Sequence, residues 1–168
     1  MAGHNFKALQ TFRAWSEARQ SFVYGYHCNI SGQDYIITDY MTLDAVVVKT
    51  AYRDKTQPFT LHEKKEDRIA IDHNEMIAVV KESIGIFTGK NDKNGTPIFA
   101  GLPEDGNIGG DNVSFNVIQE DGKIIGEFSY TACNYFIHAN GKMYYANSAK
   151  NIEVIGSAYE QYLKETKC

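Results

Sequence analysis

The chain has few cysteines and prolines and no long hydrophobic run. Its three cysteines, Cys28, Cys133 and Cys168, form no C-x-x-C pair and leave an odd one over. This usage favours a reducing cytoplasm over a disulfide framework. The longest apolar run, about residues 45–48, is far too short to cross a bilayer, and residues 1–10 lack the apolar core of a secretory signal. We therefore expect a cytoplasmic protein with no membrane partner.

An excess of basic residues is also absent. The chain carries 17 lysines and arginines against 21 acidic residues, so its formal net charge is −4. Binding to a nucleic-acid backbone depends on basic side chains, so unspecific binding to DNA or RNA is disfavoured. Net charge does not fix how the charges are distributed, so the sequence still allows a local basic patch. Such a patch would bind a nucleotide as readily as a nucleic acid. Its members would be Lys49, Arg53, Lys55, Lys64, Lys65 and Lys90.

The familiar ligand-binding motifs fail on their spacing. The segment 85–90, GIFTGK, has too few residues between its glycines for a P-loop, and Asn91 stands where serine or threonine should hold magnesium. An EF-hand placed on Asp92, Asn94 and Gly95 would begin at a lysine and lack its closing glutamate. We read this segment as a turn, and we predict no cofactor.

No catalytic or metal site is indicated either. The densest group of metal-ligating residues falls within 62–73, but it lacks the second histidine of H-E-x-x-H and contains lysines that would repel a cation. Ser157 lacks the flanking pattern of a nucleophile elbow, and Cys133 lies in an aromatic run typical of a buried thiol. The sequence therefore predicts a protein that is not an enzyme and binds no metal.

Short runs of β-branched and aromatic residues, separated by glycine, asparagine and aspartate, predict a mainly β, β-rich α+β fold. Hairpin turns are indicated at 91–95, 120–122 and 139–141. Good helix formers favour helices only at 74–81 and 159–166. The predicted strands are 7–15, 21–26, 34–38, 45–49, 68–71, 84–88, 98–99, 112–119, 123–131, 135–139, 143–146 and 153–156.

Residues 12–15, 84–99 and 152–160 carry motifs that resemble those of the YopX-like family of bacteriophage and prophage proteins. Residues 84–99 follow its signature of glycine, aromatic and threonine-glycine before "DKNG" and an isoleucine-aromatic pair. Residues 12–15 match its opening "FRAW", and 152–160 match its closing "IEVIGNIYEN". One departure is that Leu102 follows Gly101 where the family has aspartate, and Gly110-Asp111 is the candidate for that step after an insertion.

The resemblance implies a phage or prophage origin, an SH3-like β-barrel in the carboxyl-terminal part and no catalytic residues. We accordingly divide the chain into a smaller β-rich amino-terminal region, 1–82, and an SH3-like region, 83–168. The alternative is that the two regions form one compact domain. Residues 102–110 are rich in turn formers, which indicates a linker or a long functional loop.

Aromatic residues supply the candidate binding site. The chain has eleven tyrosines, nine phenylalanines and one tryptophan. Exposed aromatics on β surfaces stack bases or line partner interfaces, although a small core also uses tyrosine as a filler. The candidate binding residues are Arg13, Trp15, Tyr130, Tyr135, Tyr144 and Tyr145. We interpret the strand that carries Trp15 as a buried anchor.

Three functions remain open at this point. The first, which we favour, is a phage accessory protein that binds a host or phage protein, as a homo-oligomer with aromatic faces buried between subunits. The second is a protein that sequesters a nucleotide-like small molecule, for which a pocket with convergent polar groups is required. The third is a regulatory nucleic-acid-binding module.

Overall fold

The computed structural model describes residues 11–38 and 76–167 of the chain. These ranges are mainly β, as the sequence predicts, with eleven strands and one α-helix. The predicted strands at 45–49 and 68–71, the start of the strand at 7–15 and the metal-ligand group at 62–73 lie outside the described residues. The elements are β1 Phe12–Ser16, β2 Ser21–Ile30, β3 Gln33–Ile37, β4 Met76–Ala78, β5 Gly85–Asn91, β6 Pro97–Gly101, β7 Asp111–Val117, β8 Glu120–Thr131, β9 Asn134–Ala139, β10 Lys142–Tyr145, β11 Lys150–Ser157 and α1 Ala158–Thr166.

The strands form one hydrogen-bonded sheet in the order β10-β9-β8-β6-β5-β1-β2-β3-β4, with β7 between β8 and β11. β1 lies between β2 and β5 in the sheet, because Phe12 lies opposite Gly25 of β2 and Ile86 of β5. β8 is long enough to pair with β7 along its first part and with β9 along its second part. Its contact with β6 is parallel and consists of the pair Gly101 and Ser129.

Two groups of buried apolar side chains hold the sheet together. Phe115 and Phe128 dominate the larger group, which lies between β6, β7, β8 and β9. Ile36 and Ile84 belong to the smaller group under β1 to β4. Burying an apolar side chain of this size contributes about 1.5–3 kcal/mol, so both groups stabilise the sheet from its inner face.

Some of the hairpin turns form at the positions that the sequence predicts, and others do not. Asn140 and Gly141 form the predicted two-residue turn between β9 and β10, with φ of 52° and 73°. The turn between β7 and β8 lies at residues 118–119, two residues before the predicted position, and Gly122 lies within β8 with φ of 90°. An unpredicted turn joins β8 to β9 through Ala132 and Cys133, both at positive φ, so Cys133 is exposed and the expectation of a buried thiol is wrong.

The turn at 91–95 is organised by the buried carboxylate of Asp92. Its Oδ1 accepts hydrogen bonds from the backbone N–H groups of Asn94 and Thr96, and Gly95 has the expected positive φ of 84°. The other oxygen, Oδ2, accepts from the N–H of Val154 at 2.9 Å. Burial alone would raise the pKa of Asp92, but these hydrogen bonds outweigh it and lower the pKa. The turn is therefore fastened to β11.

The helix predicted at 74–81 is wrong for the described residues 76–81. Within 76–81 the chain forms β4 and the start of a 3-10 turn, because Ile77 pairs with Ile36 of β3 and is buried there. This pairing outweighs the helix propensity of the segment. The helix predicted at 159–166 is confirmed as α1, and the Ser157 hydroxyl caps it by accepting from the N–H of Glu160. In the described ranges no helix has both the length and the apolar character needed to span a membrane.

The turn-rich segment 102–110 is a loop tied to the body of the protein. The side chain of Asn107 accepts from the N–H groups of Leu102 and Gly109 and donates to the carbonyl of Ile84. A Cβ on Gly109 would lie 2.0 Å from that same carbonyl oxygen, so only glycine fits there. The division into regions 1–82 and 83–168 stays a prediction.

Candidate binding groove

The structure places Arg13 in the interior, in an ion pair with Asp111. The Nη2 of Arg13 lies 2.6 Å from the Oδ1 of Asp111, and both side chains are buried. The guanidinium also lies 4.6 Å from the ring centres of Phe22 and Phe99. Burial raises the pKa of Asp111, against the opposing charge of Arg13. Arg13 is therefore engaged within the fold and is not presented to a partner.

Trp15 is likewise buried, with 9% of its surface exposed. Its ring meets Phe22 edge-on at 5.4 Å and Tyr159 of α1 at 5.9 Å. Its backbone N–H donates to the Ser83 hydroxyl at 2.7 Å. These contacts agree with the interpretation of this strand as a buried anchor, and they link β1 to the helix.

The four candidate tyrosines do not form a single surface. Tyr130 and Tyr135 contact each other at 5.1 Å between ring centres and pack against the larger core group. Tyr144 also packs there, and its hydroxyl donates to Glu120 at 2.9 Å. Tyr145 alone is largely exposed, at 61%, and lies against Phe136. The first three therefore serve as amphipathic core filler in this chain.

A groove that the sequence did not indicate lies between β8, β11 and the start of α1. Its volume is about 320 Å³, at the small end of the range for ligand sites in proteins. At Gly156 a Cβ would meet no atom within 4 Å, so this side of the groove is open, while Ile125 and Ile155 are 62% and 52% exposed. The lining residues are Asn112, Ile125, Gly126, Glu127, Ile155, Gly156, Ser157, Glu160, Gln161 and Lys164. We refer to this cavity as the groove.

Glu127 is the unusual side chain of the groove. It is half-buried in the middle of β8, where its neighbours across the sheet are Asn112 and His138. Within residues 11–38 and 76–167, no hydrogen bond or ion pair engages its carboxyl. Burial without such a partner raises the pKa of Glu127 to about 7. A carboxyl in this state is neutral or charged at physiological pH depending on what lies beside it.

Most other polar groups of the groove are already engaged. The side-chain amides of Asn112 and Gln161 are joined at 2.8 Å, and the Ser157 hydroxyl caps α1. Glu160 and Lys164 lie on exposed positions of α1 at the rim. The groove thus offers one available carboxyl at its floor, two apolar walls and a charged rim. Such an arrangement binds a group that is apolar along its length and carries a donor or a positive charge at its end.

Replacing Glu127 with glutamine is expected to remove a pH dependence of folding. The folded chain keeps the proton up to about pH 7, whereas the ordinary pKa is 4.5. Because the folded state then binds the proton more tightly, the stability of the wild type falls as pH rises between these values. At about 1.4 kcal/mol per pKa unit, the gap between Glu127→Gln and wild type should widen by roughly 2–3 kcal/mol.

Urea unfolding of both chains at about pH 5 and about pH 8 measures this gap, since other groups that titrate are common to the two chains. Asp121→Asn, at an exposed position of the same strand outside the lining, is the matched control, and its difference in stability from the wild type should be the same at both pH values. A gap of constant size across this range would show that the Glu127 carboxyl is not desolvated in the folded chain.

A second polar cluster lies on β2 and β3. The Nε2 of His27 is 2.7 Å from the Oδ1 of the buried Asp34, which also accepts from the Asn29 amide at 3.1 Å. Burial alone would raise the pKa of Asp34, but these hydrogen bonds lower it. Cys28 follows His27 directly in the strand and so points to the opposite face. The cluster therefore brings no nucleophile to the histidine.

The part of the chain that the structure describes contains no group of three or more histidine, cysteine, aspartate or glutamate side chains able to hold a metal ion. Comparisons of the chain with protein-family models, with curated proteins and with solved structures found no match. The groove and its contacts are therefore the observations on which a function rests.

Proposed function

We propose that this chain is a non-enzymatic accessory protein of a bacteriophage or prophage that binds a host or phage protein through the groove. The resemblance of its three segments to the YopX-like family supports the origin, and with it a place in the cytoplasm of the bacterial host. Two of these segments are fastened together by Asp92, which belongs to the "DKNG" turn and binds the backbone of β11. Two of the segments that carry the resemblance are therefore in contact in the fold.

The observation that carries the proposal is the pair of exposed isoleucines beside an unpartnered carboxyl. Ile125 and Ile155 expose more than half of their surfaces on the walls of the groove. Exposed apolar side chains rimmed by charged residues are typical of sites where another protein binds. Because the only nearby hydroxyl of the lining, that of Ser157, is used as a helix cap, we propose binding and not catalysis.

We further propose that the chain forms a homo-oligomer and that its carboxyl-terminal part is an SH3-like barrel. The antiparallel order β11-β7-β8-β9-β10 around the larger core group supports the barrel. Met143 and Tyr145 of β10 are 53% and 61% exposed. Within the described residues β10 pairs only with β9, so its other edge is open to a second copy.

A second candidate function, binding of a small molecule, is favoured by the volume of the groove. Its polar groups do not favour a nucleotide, since Glu127 and Glu160 would face the phosphates. Native mass spectrometry of the purified chain separates the two functions, because it reports subunit number and any retained ligand together. Of the four candidate tyrosines, only Tyr145 is exposed enough to support a nucleic-acid-binding function.

Site-specific photo-crosslinking in bacterial cells tests the groove. Ile155 is replaced by p-benzoylphenylalanine, which reacts with a bound neighbour under ultraviolet light. The matched control carries the same group at Ile118, which is 78% exposed in the turn between β7 and β8 and lies outside the groove lining. We expect a discrete adduct of constant mass at position 155 and none of that mass at position 118.

Two outcomes would contradict the proposal. One is the absence of any adduct at position 155 although the protein is folded and expressed. The other is an identical set of adducts at both positions, which would show random collisions. An adduct of twice the chain mass at position 155 would assign the groove to a second copy of the chain and overturn the binding of a different protein.

A further inference from the structure

We propose that the groove binds the positively charged side chain of a lysine or arginine that the partner protein presents, with its charge on the carboxyl of Glu127. This inference rests on the proposed function and names the chemistry of its central contact. It starts from the position of Glu127, which lines the groove near the middle of a twelve-residue strand. Its Oε1 lies 3.6 Å from the point where a Cβ on Gly101 would stand. The carboxyl is thus held near the buried backbone at the end of β6.

The shape of the groove fits the stem of such a side chain. Lysine and arginine bury their methylene groups on apolar surface while the charged end reaches a polar partner. Ile125 and Ile155 supply the apolar walls, and Gly156, where a Cβ would meet no atom within 4 Å, leaves space beside them. The groove volume of about 320 Å³ suits one side chain better than a folded surface.

The charges around the groove also favour a cation. The titratable groups that face Glu127 are Glu160 and Lys164 from α1 and His138 from β9. β7 and β11 add only the neutral Asn112, Ile155, Gly156 and Ser157 to the lining. An anionic ligand would meet two carboxyl groups, and a neutral one would leave Glu127 without a charged partner. A cation neutralises the charge of the Glu127 carboxylate and forms a charge-assisted hydrogen bond with it at this half-buried position.

Binding of a cation should be coupled to the release of a proton. The raised pKa of Glu127, about 7, means that part of the free chain carries a neutral carboxyl near physiological pH. A bound ammonium or guanidinium group stabilises the ionised form and so lowers this pKa. Affinity should therefore increase about tenfold or more between pH 5.5 and pH 8 and approach a plateau above the pKa.

The test uses three small probes and the methyl NMR signals of Ile125 and Ile155 in the full chain. Nα-acetyl-lysine amide and Nα-acetyl-arginine amide carry the charge, whereas Nα-acetyl-norleucine amide has the apolar stem without it. We expect saturable shifts with one or both charged probes, stronger at pH 8 than at pH 5.5, and none with norleucine. In Glu127→Gln the shifts should be lost, while Asp121→Asn, at an exposed position of the same strand outside the groove lining, should retain them.

The comparison between charged and uncharged probes keeps the test decisive even if Glu127→Gln folds poorly. Equal shifts with norleucine, or no shifts with any probe, would overturn the cation site. If the crosslink at position 155 forms but the charged probes do not bind, the groove remains a protein-binding site and only this inference fails. If the charged probes bind but no crosslink forms, the cation site stands and the proposed protein partner fails.

Discussion

Replacing Asp111 with alanine is expected to lower the free energy of unfolding by about 3–5 kcal/mol, because it leaves the charge of Arg13 buried without its partner. Arg13 and Asp111 are 8% and 1% exposed in their side chains and lie 2.6 Å apart. The same substitution also removes the acceptor for the backbone N–H of Phe99, now bound at 2.8 Å. Urea unfolding followed by circular dichroism measures the change.

Asp121→Ala is the matched control, since Asp121 is exposed near the start of β8 and should change stability by less than about 0.5 kcal/mol. A double variant, Arg13→Met with Asp111→Ala, should be more stable than Asp111→Ala alone, because it removes the stranded charge. If Asp111→Ala unfolds at the same urea concentration as Asp121→Ala, the ion pair does not hold β1 to β7.

Replacing Trp15 with alanine is expected to cost about 3–5 kcal/mol of stability, the range for large aromatic side chains in a core. Trp15 bridges Phe22 of β2 and Tyr159 of α1, so its loss opens a cavity and weakens the attachment of the helix. Trp15 is the single tryptophan of the chain, so its fluorescence is lost in the variant. Circular dichroism during urea unfolding is the suitable measurement.

Trp15→Phe should lose less stability, since it keeps an aromatic ring in contact with Phe22 and Tyr159. Tyr145→Ala removes an aromatic side chain that is 61% exposed and should have a small effect on the isolated subunit. An unchanged melting temperature and unchanged assembly in Trp15→Ala would contradict its function as a buried anchor.

Local turn chemistry made much of the fold predictable. Asn140-Gly141 and residues 91–95 consist of residue types that strongly favour tight turns, and both segments form turns as expected. The turn at Ala132 and Cys133 was not predictable, because neither residue favours positive φ and the pairing of β8 with β9 imposes it. Residues 76–78 similarly follow β3 and not their own helix propensity.

The groove was much harder to predict than the fold. Its lining comes from segments at 112, 125–127, 155–157 and 160–164, which β7, β8 and β11 bring together only in the sheet. The sequence predicted a binding surface at the tyrosines, yet Tyr130, Tyr135 and Tyr144 pack against the core. One signal was present: within β8 the acidic Glu127 lies between positions that are buried, Gly126 and Phe128. A carboxyl between two buried positions of a strand was a candidate for a polar site.

The most direct test of the groove as a binding site is the affinity of the crosslinked partner for three purified chains, namely the wild type, Ile155→Arg and Ile118→Arg. Arginine at position 155 would fill the groove and place its own charge near Glu127, whereas position 118 lies outside the groove lining. We predict that Ile155→Arg raises the dissociation constant by about tenfold or more, equal to about 1.4 kcal/mol, and that Ile118→Arg leaves it within about twofold. Equal affinity of all three chains would contradict the account.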